Sequence, residues 1–211
     1  MEIDPANSGM SDNITTQLLR ARGVSDSEIS RNLNPTMREF LPDPSIFRDM
    51  DTAAERIVQA ILSHEKITVY GDYDVDGATS AALLINLLND LGAEAEYYIP
   101  DRLLEGYGPS GEALIKLGEA GSSLIVTVDC GAMAFDALKQ AHDAGVDVIV
   151  VDHHKCAAEL PLAAALVNPN RLDEDDEAAA HGHLAAVGVA FLLAIALIRT
   201  LREQAFFEDR A

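Results

Sequence analysis

Residues 66–80 read KITVYGDYDVDGATS. An apolar run ends at Gly71, and three aspartates then alternate with Tyr73 and Val75 before a second glycine. The run predicts a strand over 67–70, and ATSAALLINLLNDLG, from Ala78 to Gly92, predicts a helix closed by its glycine. Three like charges between a strand end and a helix start repel one another unless something positive sits among them.

The texture of this stretch continues downstream. EAEYYIP (94–100), SLIVTV (123–128), VDVIVV (146–151) and the short AAALVNP (163–169) read as further strands, with helical PSGEALIKLGEAG (109–121) and FDALKQAHDAG (135–145) between them. Near-continuous apolar strands alternating with helices predict an α/β fold: a parallel sheet of about five strands with helices on both faces. The first 13 residues are polar and read as a loose N-terminus. Residues 14–64 form a helical leader with three helical patterns, TTQLLRARG, SDSEISRNL and DMDTAAERIVQAILSH, around a linker with three prolines, LNPTMREFLPDPS. The main domain is expected over 65–205, with an acidic loop, RLDEDDEAAAHGH (171–183), before a closing helix at 184–204.

Fifteen basic against thirty-five acidic residues give a formal charge of −20 over 211 residues, which argues against phosphate-backbone binding by the overall field. It leaves room for a locally basic groove or a metal-bridged phosphate. Two cysteines, Cys130 and Cys156, without CxxC spacing make no disulfide framework, and a reducing cytoplasm is the expected compartment. The start MEIDPANSGM has no signal-peptide pattern. The longest apolar run, 184–198, is shorter than the roughly 20 residues of a membrane span, so a soluble protein is expected.

The polar clusters all fall just past predicted strands. Asp72, Asp74 and Asp76 follow the first, Asp129 follows 124–128, and Asp152, His153 and His154 follow 147–151. Parallel strands end on one edge, so these three segments converge on one crevice. Mixed carboxylate and imidazole ligands suit Mn²⁺, Mg²⁺ or Fe²⁺, with zinc less favoured where oxygen dominates. Enough ligands are present for two ions about 3.5–4 Å apart, the arrangement of phosphoester hydrolysis. The helix start near Ala78 adds free amides suited to a phosphate.

Each piece also has a plainer reading. DYDVDG resembles part of a calcium loop, but a strand precedes it and its twelfth position from Asp72 is Leu83 rather than glutamate. Asp129 alone reads as a helix cap, and either histidine alone as a turn or core residue. Joint placement at strand ends outweighs these. PDRLLEGYGPS (100–110) belongs to the same edge: Arg102, Gly106 and Tyr107 are its candidate substrate contacts, with Gly106 and Gly108 equally readable as turn formers. Lys155 and Arg171 read as ordinary surface charges, Cys130 and Cys156 as small buried or half-buried thiols, His181 and His183 as loop residues, and DEDDE (173–177) as a solvated loop.

VYGDYDVDGATS, IPDRLLEGYG, VTVDCG, VVDHH, VNPN and LAAVGVAFLL occur in an order that resembles the DHH phosphoesterase superfamily, most closely its bacterial single-strand-specific 5′→3′ DNA exonuclease branch. The pyrophosphatase and cyclic-dinucleotide members lack the RLLEGYG and VGVAF segments in this form. The resemblance spans essentially residues 15–200. It implies Asp74, Asp76, Asp129 and His153 as metal ligands, and His154 at the scissile phosphate or completing the metal shell. Asp72 and Asp152 are implied as orienting partners in catalysis. It also implies two Mn²⁺ or Mg²⁺ ions, attack by a metal-bound hydroxide, release of 5′-mononucleotides, and a part in DNA repair and recombination. Members of the branch continue to a further aspartate ligand, a second cleft domain and an OB-type module, so the sequence is expected to be their N-terminal half. Single-stranded DNA is the expected partner, held mostly through those later domains, with a single-strand-binding protein or a helicase as candidate protein partners. Two alternatives stand beside this: a short-oligonucleotide, cyclic-dinucleotide or pyrophosphate phosphodiesterase, and a non-catalytic scaffold. The intact set of acidic residues and histidines argues against the scaffold.

Overall fold

The computed structural model describes residues 13–208. The loose N-terminus expected over 1–13 lies, Asn13 apart, outside them. Five strands form one sheet: β1 (Lys66–Gly71), β2 (Ala95–Tyr98), β3 (Ser122–Val128), β4 (Asp147–Val151) and β5 (Ala165–Val167), in the order β2-β1-β3-β4-β5. Every pairing is parallel. This is the α/β fold that the strand–helix alternation predicts.

Side-chain alternation along each strand builds two cores. Ile67 and Val69, Leu124, Val126 and Val128, Ile149 and Val151, and Ala165 and Val167 face one side. They pack there with helices α4 (Met50–Leu62), α5 (Val75–Asp90) and α9 (Ala186–Glu203). Tyr70, Ile125, Val148, Val150 and Leu166 face the other side, under α6 (Gly111–Glu119) and α7 (Phe135–Asp143). A two-residue period with both faces covered explains why the strands read as continuous apolar runs.

The chain divides into two compact units, one ending at Pro42 and one beginning at Asp43. The first holds α1 (Ile14–Ala21), α2 (Asp26–Leu33) and α3 (Met37–Phe40). Asn13 caps α1, its side chain accepting from the Thr16 amide at 2.8 Å, and Ser25 with Glu28 forms a capping box on α2. The leader expected to run to residue 64 therefore ends sooner. Its third helix, α4, belongs to the second unit, because Met50, Ala53, Ala54, Ile57, Val58 and Ile61 bury one face in the main core. Helical spacing predicts an apolar face but not which partner covers it. The proline-rich linker holds α3 and a short 3-10 turn at Pro44–Ile46. The acidic loop holds α8 (Asp176–Ala179).

Strand register positions the site. Gly71 pairs with Val128, Val128 with Val151, and Val151 with Val167, so four strands end level. The next residue of each is polar: Asp72, Asp129, Asp152 and Asn168. The ladder extends one step through them, since the amides of Asp72, Asp129 and Asp152 donate to Val128, Val151 and Val167 at 3.3, 3.0 and 3.0 Å. None is more than 2% exposed. The chain runs from β1 out to β2 and back past β1 to β3, which makes the β1/β3 boundary the point where winding reverses and a crevice opens.

Candidate metal centre

Helix α5 starts at Val75, three residues before the expected start, because Asp74 is its cap. Asp74 Oδ1 accepts from the amides of Asp76 and Gly77 at 2.9 and 3.1 Å. These bonds, the Gly77 one foremost, hold the Asp74 carboxyl below its ordinary range. The glycine is required by close approach: a Cβ at Gly77 would lie 2.3 Å from the Asp72 carbonyl oxygen. The helix start is thereby pressed onto the end of β1, and Asp72 and Asp74 are brought side by side.

Asp72, Asp74 and Asp129 each offer an oxygen within 4.8 Å of the others, and Asp129, His153 and His154 make a second such group. Asp129 belongs to both. It adopts φ +63°, a left-handed conformation that aspartate tolerates better than most residues, and this turns the chain off the end of β3. Burial, then the hydrogen bond and charge of Asp74, push its carboxyl up to about 7. Burial also raises Asp72, with the Asp74 charge adding to it. Oδ1 of Asp72 and Oδ1 of Asp129 are both buried without a hydrogen bond.

His153 is held from its far side. Its Nδ1 lies 3.1 Å from the Leu184 carbonyl, which only accepts, so Nδ1 carries a proton and, in the neutral ring, Nε2 is the acceptor. That Nε2 stands 3.2 Å from Asp129 Oδ1 without hydrogen-bond geometry. With the ring neutral and Asp129 ionised, acceptor faces acceptor, beside an Asp72 oxygen that also lacks a donor. A divalent cation fits this donor set, and oxygen-rich ligands with imidazole favour a hard or borderline ion.

Asp152 orders the adjoining histidine. Its Oδ1 accepts from His154 Nδ1 at 2.7 Å and from the His153 and His154 amides at 2.7 and 3.2 Å, and Oδ2 accepts from the Ala132 amide at 3.0 Å. Burial pushes its carboxyl up, but the bonds from His154 and Ala132 outweigh it and leave it below the ordinary range. The Asp152 bond in turn raises His154. His154 Nε2 is left toward Tyr107, whose hydroxyl is 3.4 Å away. Tyr107, Gly108, Met133 and His154 line part of a cavity of about 370 Å³ there.

The expected residues thus converge, with differences. Asp72, expected as an orienting partner, lies in a ligand group. Asp76, expected as a ligand, lies in the first turn of α5 outside both groups. Arg102 stacks over the Tyr73 ring at 5.0 Å, beside the aspartates. Gly106 and Gly108 have φ +84° and +76°, the turn-forming role. Arg171 is not a surface charge: it is 7% exposed and pairs with Asp49 at 2.6 Å and Asp173 at 2.9 Å. Nor is DEDDE wholly solvated, since the Glu174 side chain is buried and accepts from the Arg48 amide at 2.9 Å. Both corrections arise from long-range partners that sequence spacing does not reveal. Asn168 carries no sequence-derived role, yet it is fully buried and its Nδ2 donates to the His154 carbonyl at 2.8 Å. Its position just after β5, level with the aspartates, is the signal that would find it.

The DHH family, N-terminal domain, matches residues 66–208. The chain belongs to the DHH family. Among curated DHH relatives, the single-stranded-DNA-specific exonuclease RecJ of Bacillus subtilis is 42% identical over 191 residues, covering 90% of this chain and 24% of its own length. A crystal structure of exonuclease RecJ bound to manganese superposes with TM-score 0.65 at 36% identity, covering 74% of this chain and 38% of that one. RecJ from Thermus thermophilus in complex with Mn²⁺ superposes with TM-score 0.68 at 30% identity, covering 89% of this chain and 25% of that one. The chain therefore spans well under half the length of these relatives. No helix among the described residues is long and apolar enough to cross a membrane.

Proposed function

We propose that this chain carries the metal-binding part of a 5′→3′ exonuclease acting on single-stranded DNA in repair and recombination. The observation that supports the reading best is the cluster of Asp72, Asp129 and His153 at the sheet edge, whose buried Asp72 and Asp129 oxygens have no hydrogen bond, in a fold similar to manganese-bound RecJ. Mn²⁺ or Mg²⁺ is the proposed cofactor. Asp72, Asp74 and Asp129 would hold one ion, and Asp129, His153 and His154 a second. The sequence resemblance alone adds Asp76. Such ions, when bound, polarise a phosphoryl oxygen and activate water near neutral pH.

The protein's own groups do the rest. Asp152 fixes the His154 ring with its Nε2 toward the cavity, where that nitrogen would complete the shell of the second ion or, in place of that role, meet a phosphate oxygen. Arg102 and Tyr107 lie on the approach and would contact the substrate's phosphate or terminal base. With a net charge of −20, local cations and metal rather than the overall field would bind the strand. A cytoplasmic setting, and a single-strand-binding protein or helicase as partner, complete the proposal; both cysteines are free, in keeping with a reducing compartment.

The test is 5′-phosphorylated single-stranded DNA, duplex DNA and a dinucleotide, each incubated with protein and Mn²⁺. The proposal expects single strands to shorten from the 5′ end with release of mononucleotides, and Asp74→Ala to stop it. Intact single strands with a cleaved dinucleotide would instead establish the small-substrate phosphodiesterase.

A further inference from the structure

The segment after β5 closes around the back of the two histidines. Asn168 Oδ1 accepts from the Asn170 amide at 2.8 Å, and its Nδ2 holds the His154 carbonyl. The Asn170 carboxamide, at the end of VNPN, then makes the next link. Its Nδ2 donates to the His153 carbonyl at 2.6 Å and to the Gly182 carbonyl at 3.1 Å. Two residues beyond Gly182, the Leu184 carbonyl takes the Nδ1 proton of His153. One amide group therefore ties the main chain of His153 to the turn whose carbonyl sets that histidine's ring.

We propose that Asn170 is a positioning residue for the metal centre: by joining His153 to the Gly182–Leu184 turn, it keeps the imidazole in its Nδ1–H tautomer with Nε2 toward Asp129. The inference rests on the metal reading above and extends it to a residue outside both ligand groups. Two carbonyls on one Nδ2 also fix which way the amide points, because only the nitrogen end donates. Partners behind a ligating histidine commonly govern its tautomer and basicity, and their loss costs about 10–100-fold in metal affinity. The fit of the turn is close: a Cβ at Gly182 would come within 2.5 Å of Asn170 Oδ1. Gly182→Ala thus displaces the carboxamide from the opposite side without removing its donors.

The test follows the His153 ring in the metal-free protein by long-range ¹H–¹⁵N NMR, at a pH where the ring is neutral, and then Mn²⁺ affinity by calorimetry. The wild type should show the Nδ1–H tautomer. Asn170→Ala should give a mixture of tautomers and about 10–100-fold weaker Mn²⁺ binding, with a cooperative thermal melt retained. Should Asn170→Ala fail to fold, Gly182→Ala decides through the same two measurements. A single Nδ1–H tautomer and unchanged Mn²⁺ affinity in a folded variant would overturn the proposal and leave Asn170 a loop-packing residue. If the wild type took up no Mn²⁺, the metal reading would fall, while the tautomer in the metal-free variant would still decide the role of Asn170.

Discussion

Nε2 of His153 and Oδ1 of Asp129 stand 3.2 Å apart with no hydrogen bond between them, one on the loop after β4 and the other on the turn after β3. The Leu184 carbonyl holds the proton of the neutral ring on its far side, so once Asp129 ionises the pair has no proton of its own to share. Such a contact is unfavourable in an empty site and favourable around a cation.

The first consequence concerns stability without metal. The Asp129 carboxyl, raised to about 7 from 3.8, keeps a proton in the folded state that the unfolded chain has already lost. Between these values the folded state binds more protons, so stability falls as pH rises through the window. Asp129→Asn should remove that loss and stabilise the metal-free protein at pH 8 by on the order of 1–3 kcal/mol. Urea melts in chelator at pH 5 and pH 8 check it. An equal pH dependence in variant and wild type would refute the assignment.

Asp74 behaves differently although it sits in the same cluster. Its carboxylate caps α5, so Asp74→Ala should destabilise the metal-free protein by about 0.5–2 kcal/mol, whereas Asp74→Asn should retain most of the stability. Both should weaken Mn²⁺ binding. Thermal melts beside Mn²⁺ titrations separate the roles; an alanine variant as stable as wild type would contradict the capping role.

Much of this site is legible in the sequence because it follows strand direction. Asp72, Asp129 and Asp152 each come directly after an apolar run, and parallel strands must end on one edge. The same rule applied to ALV at 165–167 would have pointed to Asn168. Other features depend on distant partners. The capping bonds that start α5 at Val75, the membership of α4 in the main core, and the burial of Arg171 against Asp49 all join segments by packing that no local pattern encodes. The His153 tautomer depends on a backbone carbonyl at Leu184, to which side-chain identity is indifferent.

Asp152 should act through His154 rather than through the ions. It lies outside both ligand groups and bonds four donors. Asp152→Asn exposes the His154 Nδ1–H to a poorer acceptor and should lower nuclease turnover about 10–100-fold. Mn²⁺ affinity should fall with it, because His154 is a candidate ligand of the second ion. Steady-state rates beside calorimetry test this, and values unchanged from wild type in both would refute the role of Asp152.

Gly77 carries the joint between β1 and α5. Gly77→Ala would set a methyl 2.3 Å from the Asp72 carbonyl oxygen, a contact with backbone that cannot swing aside. Destabilisation of about 1–3 kcal/mol or more is expected, with Mn²⁺ affinity falling as Asp72 and Asp74 separate. A melt and titration matching wild type would show that the joint yields.

The most direct measurement is a calorimetric titration of Mn²⁺ into the metal-free protein, with Asp129→Asn alongside. Binding in the wild type and its loss in the variant are the predicted result, since Asp129 alone is common to both ligand groups. Equal binding by the two proteins would contradict a metal centre at the ends of β1, β3 and β4.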